Sequence, residues 1–304
     1  MDFWKVDEVG MTGLKPAFLA VLLLAACGGN PFAAPPDDSG TPTTTPLIPA
    51  TVTKDVAEAG LADWAADDAT LRIRMTAQDA TDLNAEYVRD PDLDVGSYQA
   101  YVYQSTTSNR KVVALVNGTS NIKAVAAMEA GQFADDHMGS QAWRADVFTA
   151  PSAGVGASFD YSGTYAGLLN MGEVTPSGPG GALNPEQAYR TTGRVLITAD
   201  FTEMSVSGGV DQREIIETSE ELLSIALKKT GISANGTFAG SVVESDGLGH
   251  DSGTLGDYGG AFAGLNASEI AVLLLFNPYG GGDVLEQGII TLPSCTTGGG
   301  PACP

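Results

Sequence analysis

Apolar and polar residues alternate over much of the chain beyond residue 96, and glycine-containing segments interrupt the alternation. A period of two predicts strands with one buried face. Eight strands are predicted after residue 156, at 159–168, 187–201, 204–212, 222–229, 236–244, 258–264, 269–276 and 287–292. Strands of this number with tight turns favour an eight-stranded antiparallel up-and-down β-barrel, because closure of the sheet removes its exposed edges. Residues 271–276 are apolar on both faces, which predicts that the N-terminal region covers this strand from outside.

Residues 51–156 predict a smaller, mainly β region with some helix. Alanines within 55–90 favour a helix, whereas the alternating segment 71–75 fits a strand. A strand is also predicted at 98–103, where Tyr98, Tyr101 and Tyr103 are expected to pack in the core or at its rim. Segments 111–116 and 122–128 predict a hairpin with Asn117-Gly118 at its turn, because both residues tolerate positive φ.

The N-terminus carries a different pattern, an apolar run that ends in Leu-Ala-Ala-Cys at 24–27. The ten apolar residues 17–26 are about half of the ~20 that span a bilayer, so they fit the core of a signal peptide. The motif resembles the bacterial lipobox, which implies a signal peptide over 1–26 and a lipid on Cys27. Residues 1–10 are acidic where a basic segment is expected, so Met11 is an alternative start.

Residues 27–50 follow as a Pro/Thr-rich linker, which predicts an extended tether between Cys27 and the folded part. In lipoproteins of this type, Gly28 in place of aspartate implies sorting to the outer membrane. The predicted organisation is therefore a signal peptide (1–26), a tether (27–50), an N-terminal β region (51–156) and a C-terminal barrel (157–304). We expect surface exposure, with a periplasm-facing location as the alternative.

The net charge and the cysteines restrict the possible partners and the cellular compartment of the protein. The chain has a formal net charge of −22, and without residues 1–26 it has 34 acidic and 13 basic residues. Because nucleic-acid binding needs clustered Lys and Arg, this composition argues against a nucleic-acid partner. Cys295 and Cys303 enclose a Gly/Pro-rich segment, which predicts a terminal disulfide in an oxidising compartment. A metal pair is the alternative, although no histidine or further cysteine lies nearby in sequence.

Candidate chemistry is sparse. His137 and His250 lie in loop-like stretches, and a Ser/His/Asp arrangement around His250 has no support beyond adjacency in sequence. Asp90, Asp92 and Asp94 resemble part of a calcium loop, but Tyr101 stands where a bidentate glutamate is needed. Glu244, Asp246 and Asp251 make a second, looser acidic loop. We therefore predict no catalytic, cofactor or metal site and no enzymatic activity.

Glycine–aromatic strings recur in the predicted barrel. They are Tyr-Ser-Gly-Thr-Tyr-Ala-Gly at 161–167, Thr-Ala-Asp-Phe at 198–201, Val-Ser-Gly at 206–208, Asn-Gly-Thr-Phe-Ala-Gly at 235–240, Tyr-Gly-Gly-Ala-Phe-Ala-Gly at 258–264 and Asn-Ala-Ser-Glu-Ile at 266–270. Their order and spacing resemble the surface lipoproteins related to transferrin-binding protein B and factor H binding protein, whose C-terminal domain is an eight-stranded barrel. The resemblance covers 157–292, and more loosely 98–156.

These strings also have a physical interpretation. The aromatic residues can fill a small barrel, while the glycines relieve crowding where it bends, and Asp200 can cap a hairpin turn. The resemblance implies a non-enzymatic lipoprotein that binds a protein partner or a solute through barrel loops and the N-terminal region. It does not identify the ligand. The alternative is a structural or adhesion lipoprotein that acts by self-association.

Overall fold

The computed structural model describes residues 47–76, 83–104, 111–129, 138–145, 148–152, 157–171, 188–245, 251–280 and 284–295. All of them belong to one compact unit. Their N-terminal part consists of α1 (Ala50–Thr53), β1 (Val56–Ala59), β2 (Thr70–Met75), β3 (Leu83–Arg89), β4 (Gln99–Gln104), β5 (Lys111–Gly118), β6 (Ile122–Glu129) and β7 (Met138–Arg144). These seven strands pair in sequence order as an antiparallel sheet, and short turns of 3-10 helix occur at Pro91–Leu93 and Leu265–Ala267.

The predicted helix within 55–90 is wrong, because β1, β2 and β3 occupy most of its described residues. In β2 the side chains of Leu71, Ile73 and Met75 are buried and alternate with exposed polar ones. Burial of that apolar face against neighbouring strands outweighs the modest helix preference of the alanines. The strands predicted at 71–75 and 98–103 are confirmed as β2 and β4. Tyr98 and Tyr101 are buried and Tyr103 is half-buried, so the expected core or rim packing is found.

The predicted β5–β6 hairpin is confirmed, but its turn is displaced. Asn117 and Gly118 lie within β5, opposite Ala124 and Lys123, and the turn follows at 119–121. Glu269 of the barrel is the reason for the displacement. Its carboxylate accepts hydrogen bonds from the Thr119 hydroxyl and from the backbone and side-chain nitrogens of Asn121, both at 2.7 Å. A long-range carboxylate therefore stabilises a turn that local Asn-Gly chemistry would place earlier.

The second part consists of β8 (Ser158–Asn170), β9 (Tyr189–Asp200), β10 (Ser205–Ile215), β11 (Glu220–Leu222), β12 (Ile225–Gly231), β13 (Thr237–Ser245), β14 (Asp251–Ala263), β15 (Glu269–Phe276) and β16 (Leu285–Pro293). Eight of these strands close into an antiparallel barrel, because β16 pairs with β8 and β9 pairs with β10. Each predicted barrel strand has its counterpart. The short β11, which pairs only with β10, was not predicted.

Aromatic side chains fill the barrel, as the glycine–aromatic strings predict. Tyr161, Phe238, Tyr258 and Phe262 belong to one buried cluster inside the barrel. The Phe238 and Phe262 rings lie 5.1 Å apart, and Phe238 packs where Gly260 has no side chain. The predicted cap at the β9–β10 turn is also present, since Asp200 accepts hydrogen bonds from the backbone N–H groups of Thr202 and Glu203.

The seven-stranded sheet packs on the outside of the barrel, mainly through β6 against β15 and β16. Within β15, Ile270, Val272 and Leu274 face the barrel interior, while Ala271 and Leu273 belong to the cluster between barrel and sheet. The prediction that the N-terminal region covers this strand is therefore correct. No helix among the described residues is long and apolar enough to cross a bilayer.

Candidate functional site

The two ends of the barrel carry different connections. One end, called here the turn end, has the short connections 201–204, 232–236 and 264–268. The opposite end, called the loop end, has the connections 171–188, 216–224, 246–250 and 277–284, of which the structure describes 216–224 in full. Binding residues concentrate on loops that a rigid scaffold positions, so the loop end is the first place to look for a site.

A buried ion pair lies inside the barrel near the loop end. Arg213 of β10 and Glu286 of β16 both have fully buried side chains, and Arg213 Nη2 donates to Glu286 Oε2. Glu286 Oε1 also accepts hydrogen bonds from the hydroxyls of Tyr165 (2.6 Å) and Thr191 (2.7 Å). Arg213 Nη1 donates to the carbonyl oxygen of Leu223 at 2.7 Å, so the guanidinium links the interior to the loop after β11.

Aromatic rings and small residues surround this pair. The guanidinium carbon of Arg213 lies 5.0 Å from the centroid of the Phe276 ring and 6.0 Å from that of Tyr165. Burial, followed by the charge of Glu286, raises the pKa of Tyr165 well above its usual value. Arg213 Nε has no hydrogen-bond partner among the described residues. The pair is thus internally charge-balanced and blocks this end of the barrel interior.

Two large apolar side chains are exposed at the loop end. Leu223 is 54% exposed and Tyr279 is 42% exposed. Leu223 belongs to the connection 216–224 and Tyr279 to the connection 277–284, and the carbonyl oxygen of Leu223 accepts a hydrogen bond from Arg213. Burial, then the charges of Glu220 and Glu286, raise the pKa of Tyr279. Exposed Leu and Tyr side chains above a packed core form a surface that can lose water against another protein.

An ion pair and a satellite cluster hold this surface in place. Arg190 Nε donates to Glu217 Oε1 at 2.7 Å, and the backbone N–H of Arg190 donates to Glu217 Oε2 at 2.9 Å. Below them, a small cluster of apolar side chains closes the end: Leu169, Tyr189 and Ile215, with Met171, Leu222 and Val284 packed against it. The Arg190–Glu217 ion pair and this apolar cluster therefore fix the position of the loop that bears Leu223.

Two grooves lie elsewhere on the barrel, each of about 540 Å³. One lies on the outer wall of β9, β10 and β12, where Arg194 and Asp211 form an exposed ion pair at 2.8 Å beside Leu196. Hydrogen bonding from Arg194 lowers the pKa of Asp211. The other lies between 47–50 and the turn end. Neither groove contains an arrangement of acids, bases or nucleophiles that would support catalysis.

The residues considered for metal binding have other roles in the structure. Arg89 donates to both carboxylate oxygens of Asp94, at 2.5 and 2.7 Å, and the backbone N–H of Ala100 donates to the same carboxylate at 2.8 Å. Asp90 lies 3.7 Å from Lys111 Nζ. Within the described ranges, no group of three or more His, Cys, Asp or Glu side chains is placed to hold a metal ion.

Several predicted sites fall outside the described residues: the signal peptide, Cys27, most of the tether, His137, His250, Asp246 and Cys303. Cys295 follows β16, and its backbone N–H donates to the Asp160 carbonyl oxygen at 2.9 Å. The lipid on Cys27 and the Cys295–Cys303 disulfide remain predictions.

No family model matches the chain, and no curated protein matches it. Solved structures with a similar fold include a double mutant of transferrin binding protein B from Haemophilus parasuis Hp5, with a TM-score of 0.39 and 12% identity over 74% of this chain and 51% of that chain. A second is isotype 1 transferrin binding protein B from serogroup B Neisseria meningitidis, with a TM-score of 0.36 and 15% identity over 73% of this chain and 39% of that chain.

A third is described as a surface lipoprotein, with a TM-score of 0.37 and 11% identity over 76% of this chain and 94% of that chain. These are proteins of the kind that the glycine–aromatic strings resemble. The chain spans about half the length of the Haemophilus structure. At TM-scores below 0.5 these similarities concern the fold and carry no argument about function.

Sequence reasoning missed the residues that make up the loop end, namely Arg213, Glu286, Leu223 and Tyr279. One signal was available: Glu286 alternates with Gly288, Ile290 and Leu292, so it shares their inward face of β16. A charged residue on an apolar face predicts a buried ion pair. No comparable signal marks Leu223 or Tyr279, because exposure of a single apolar residue depends on the packing around it.

Proposed function

We propose that this chain is a non-enzymatic outer-membrane surface lipoprotein, anchored through a lipid on Cys27, that binds a protein partner through the loop end of its barrel. The observation that carries the proposal is the exposure of Leu223 and Tyr279 above a filled barrel. A small ligand enclosed by the barrel would need an open interior. Here aromatic side chains and the Arg213–Glu286 pair occupy that space.

The position of the chain entry supports an outward-facing loop end. Residues 47–50 lie beside Gly231, Ser233 and Thr237, all of which belong to the turn end. A tether that joins Cys27 to Leu47 therefore reaches the barrel at the turn end. With Cys27 in the outer leaflet, the loop end would point away from the membrane and toward partners.

The anchor is tested first. We expect Cys27→Ser to abolish incorporation of labelled palmitate and to move the protein from the membrane fraction to the soluble fraction. Proteinase K applied to intact cells should degrade the parent protein. Palmitate labelling that persists in Cys27→Ser would contradict lipidation at this residue. Resistance to the protease until the cells are lysed would contradict surface exposure and favour the periplasm-facing location.

Binding is tested by photo-crosslinking on intact cells. A p-benzoylphenylalanine placed at Tyr279 should form covalent adducts with a protein from the surrounding medium, because this side chain lies in the proposed contact. The matched control places the same group at Leu265, which is 65% exposed but lies at the turn end. Adducts are identified by mass spectrometry.

Three outcomes separate the alternatives. Adducts specific to position 279 that contain another protein support the proposal. Adducts that contain only a second copy of this chain contradict it and favour the structural or adhesion alternative. Equal adduct yields from 279 and 265, or none from 279 across cells, host fluids and culture media, also contradict binding through the loop end.

A further inference from the structure

A short segment near the start of the described chain crosses the boundary between the barrel and the seven-stranded sheet. Residues 47–53, called here the strap, include α1, which contacts β14 and β15 of the barrel and β7 of the sheet. The side chains of Ile48 and Val52 are buried in the cluster between barrel and sheet. Because the tether enters the fold at Leu47, the strap is the first folded segment that a pull from an anchor would reach.

Two glycines, one in the sheet and one in the barrel, make room for the strap. A Cβ at Gly139 of β7 would lie 2.5 Å from the carbonyl oxygen of Thr53 and 2.6 Å from the backbone nitrogen of Val56. A Cβ at Gly259 of β14 would lie 2.8 Å from Cγ2 of Ile48. Since atoms this close would overlap, the docked strap requires glycine at both positions.

The backbone is strained at the residue that follows the strap. Lys54 has φ 46° and ψ −123°, a conformation that residues with a Cβ rarely adopt. The chain beyond it is held, because the carbonyl oxygen of Asp55 accepts a hydrogen bond from the backbone N–H of Thr76 at 2.6 Å and β1 pairs with β2. Rotation of Lys54 out of this conformation would relieve the strain and move the strap while β1 stays paired.

The polar contacts beneath the strap are long. The carbonyl oxygen of Val52 lies 3.3 Å from each of its two donors, Gln287 Nε2 and Ser140 Oγ. Gln287 Nε2 carries two hydrogens and has shorter bonds to Ser140 Oγ (2.8 Å) and to the carbonyl oxygen of Leu274 (2.7 Å). Gln287 Oε1 is buried without a hydrogen-bond partner among the described residues. Departure of the strap would therefore break long bonds and admit water to an unpartnered oxygen.

We propose that the strap is releasable: it swings out about Lys54 while the barrel and the seven-stranded sheet stay folded. Released, 47–53 would join the tether and add up to about 25 Å of extended chain between an anchor and the barrel. Burial of Ile48 and Val52 opposes release, whereas the backbone strain favours it. The release is independent of the proposed function, but its use in lengthening the tether rests on the lipid at Cys27.

Thiol labelling measures the release. Val52→Cys and Val113→Cys place a cysteine at two valines that are each 1% exposed and belong to the same buried cluster, one on the strap and one on β5. Each full-length variant is treated with a maleimide in native buffer, and mass spectrometry assigns the label to its position. We expect position 52 to react at least about tenfold faster, because local opening exposes it without separating sheet from barrel. Equal rates at the two positions would overturn the proposal.

Further variants in the Val52→Cys background test the hinge and the close approach. Lys54→Gly should slow the labelling about threefold, because glycine adopts positive φ without strain. Gly139→Ala should speed it by about tenfold, since a Cβ there would displace Thr53. The matched control is Gly253→Ala, at an open position of β14, which should leave the rate unchanged.

The hinge variant keeps the test decisive if Gly139→Ala misfolds, because its expected effect is a gain in protection. Labelling of Val52→Cys that is unchanged or faster with Lys54→Gly would contradict release about this residue. Failure of this inference is distinguishable from failure of the proposed function. Fast labelling that Lys54→Gly slows, in a protein whose Cys27 carries no palmitate, would support release and contradict only the anchor.

Discussion

Replacement of Glu286 by alanine is expected to lower the free energy of unfolding by about 3–5 kcal/mol, the cost of leaving a buried charge without its partner. The Arg213 guanidinium would stay fully buried with no carboxylate beside it. The hydroxyls of Tyr165 and Thr191 would lose the oxygen that accepts their hydrogen bonds. Urea denaturation of the parent and the variant, followed by circular dichroism, gives the difference from the transition midpoints.

Two variants control this prediction. Arg213→Met/Glu286→Leu should cost less than Glu286→Ala alone, because apolar side chains remove the need to desolvate either charge. Asp211→Ala breaks the exposed pair with Arg194, whose side chains are 47% and 58% exposed respectively, and should cost less than about 1 kcal/mol. If Glu286→Ala costs no more than Asp211→Ala, water reaches the Arg213–Glu286 pair and the barrel end is open.

Gly260→Ala is expected to lower the free energy of unfolding by about 1–3 kcal/mol, as overpacking of a dense core does. A Cβ at this position would overlap the ring of Phe238 and lie 2.6 Å from the carbonyl oxygen of Ala271. The ring could move only by disturbing its contacts with Tyr258 and Phe262, and the carbonyl belongs to the adjacent strand. Thermal or urea unfolding measures the loss.

The same strand provides the control. Gly253 also lies in β14, but a Cβ there would meet no atom within 4 Å, so Gly253→Ala should leave the midpoint nearly unchanged. Phe238→Leu combined with Gly260→Ala should recover part of the loss, and the remainder reflects the fixed Ala271 carbonyl. Equal midpoints for the two single variants would mean that the glycine–aromatic strings are not packing pairs.

The strands were the most predictable part of the fold. In β15 both faces are apolar, and the structure places Ile270 and Val272 inside the barrel and Ala271 between barrel and sheet. Such a pattern can be interpreted from sequence because adjacent side chains of a strand point to opposite faces. The glycine–aromatic strings also predict that the barrel is small, because an aromatic side chain opposite a glycine suits a narrow, strongly curved sheet.

The predictions from sequence were wrong where contacts with residues distant in sequence determine the local structure. The alanines of 55–90 favour a helix in isolation, but Leu71 and Ile73 bury one face of a strand. Asn117-Gly118 favours a turn, but the Glu269 carboxylate holds the turn two positions later, at 119–121, through Thr119 and Asn121. Glu269 lies far from the hairpin in sequence, so no local pattern could reveal the contact.

The sequence by itself determined where the eight strands that close the barrel lie and that both faces of β15 are buried, because alternation and apolar runs are local properties of the chain. Only the tertiary structure decided that Arg213 and Glu286 meet inside the barrel and that Leu223 and Tyr279 are exposed at its loop end. Those relations depend on strand register and closure, which set distances between residues far apart in sequence. The candidate site depends on contacts of this kind, whereas the strands of the barrel can be predicted from the local alternation of apolar and polar residues.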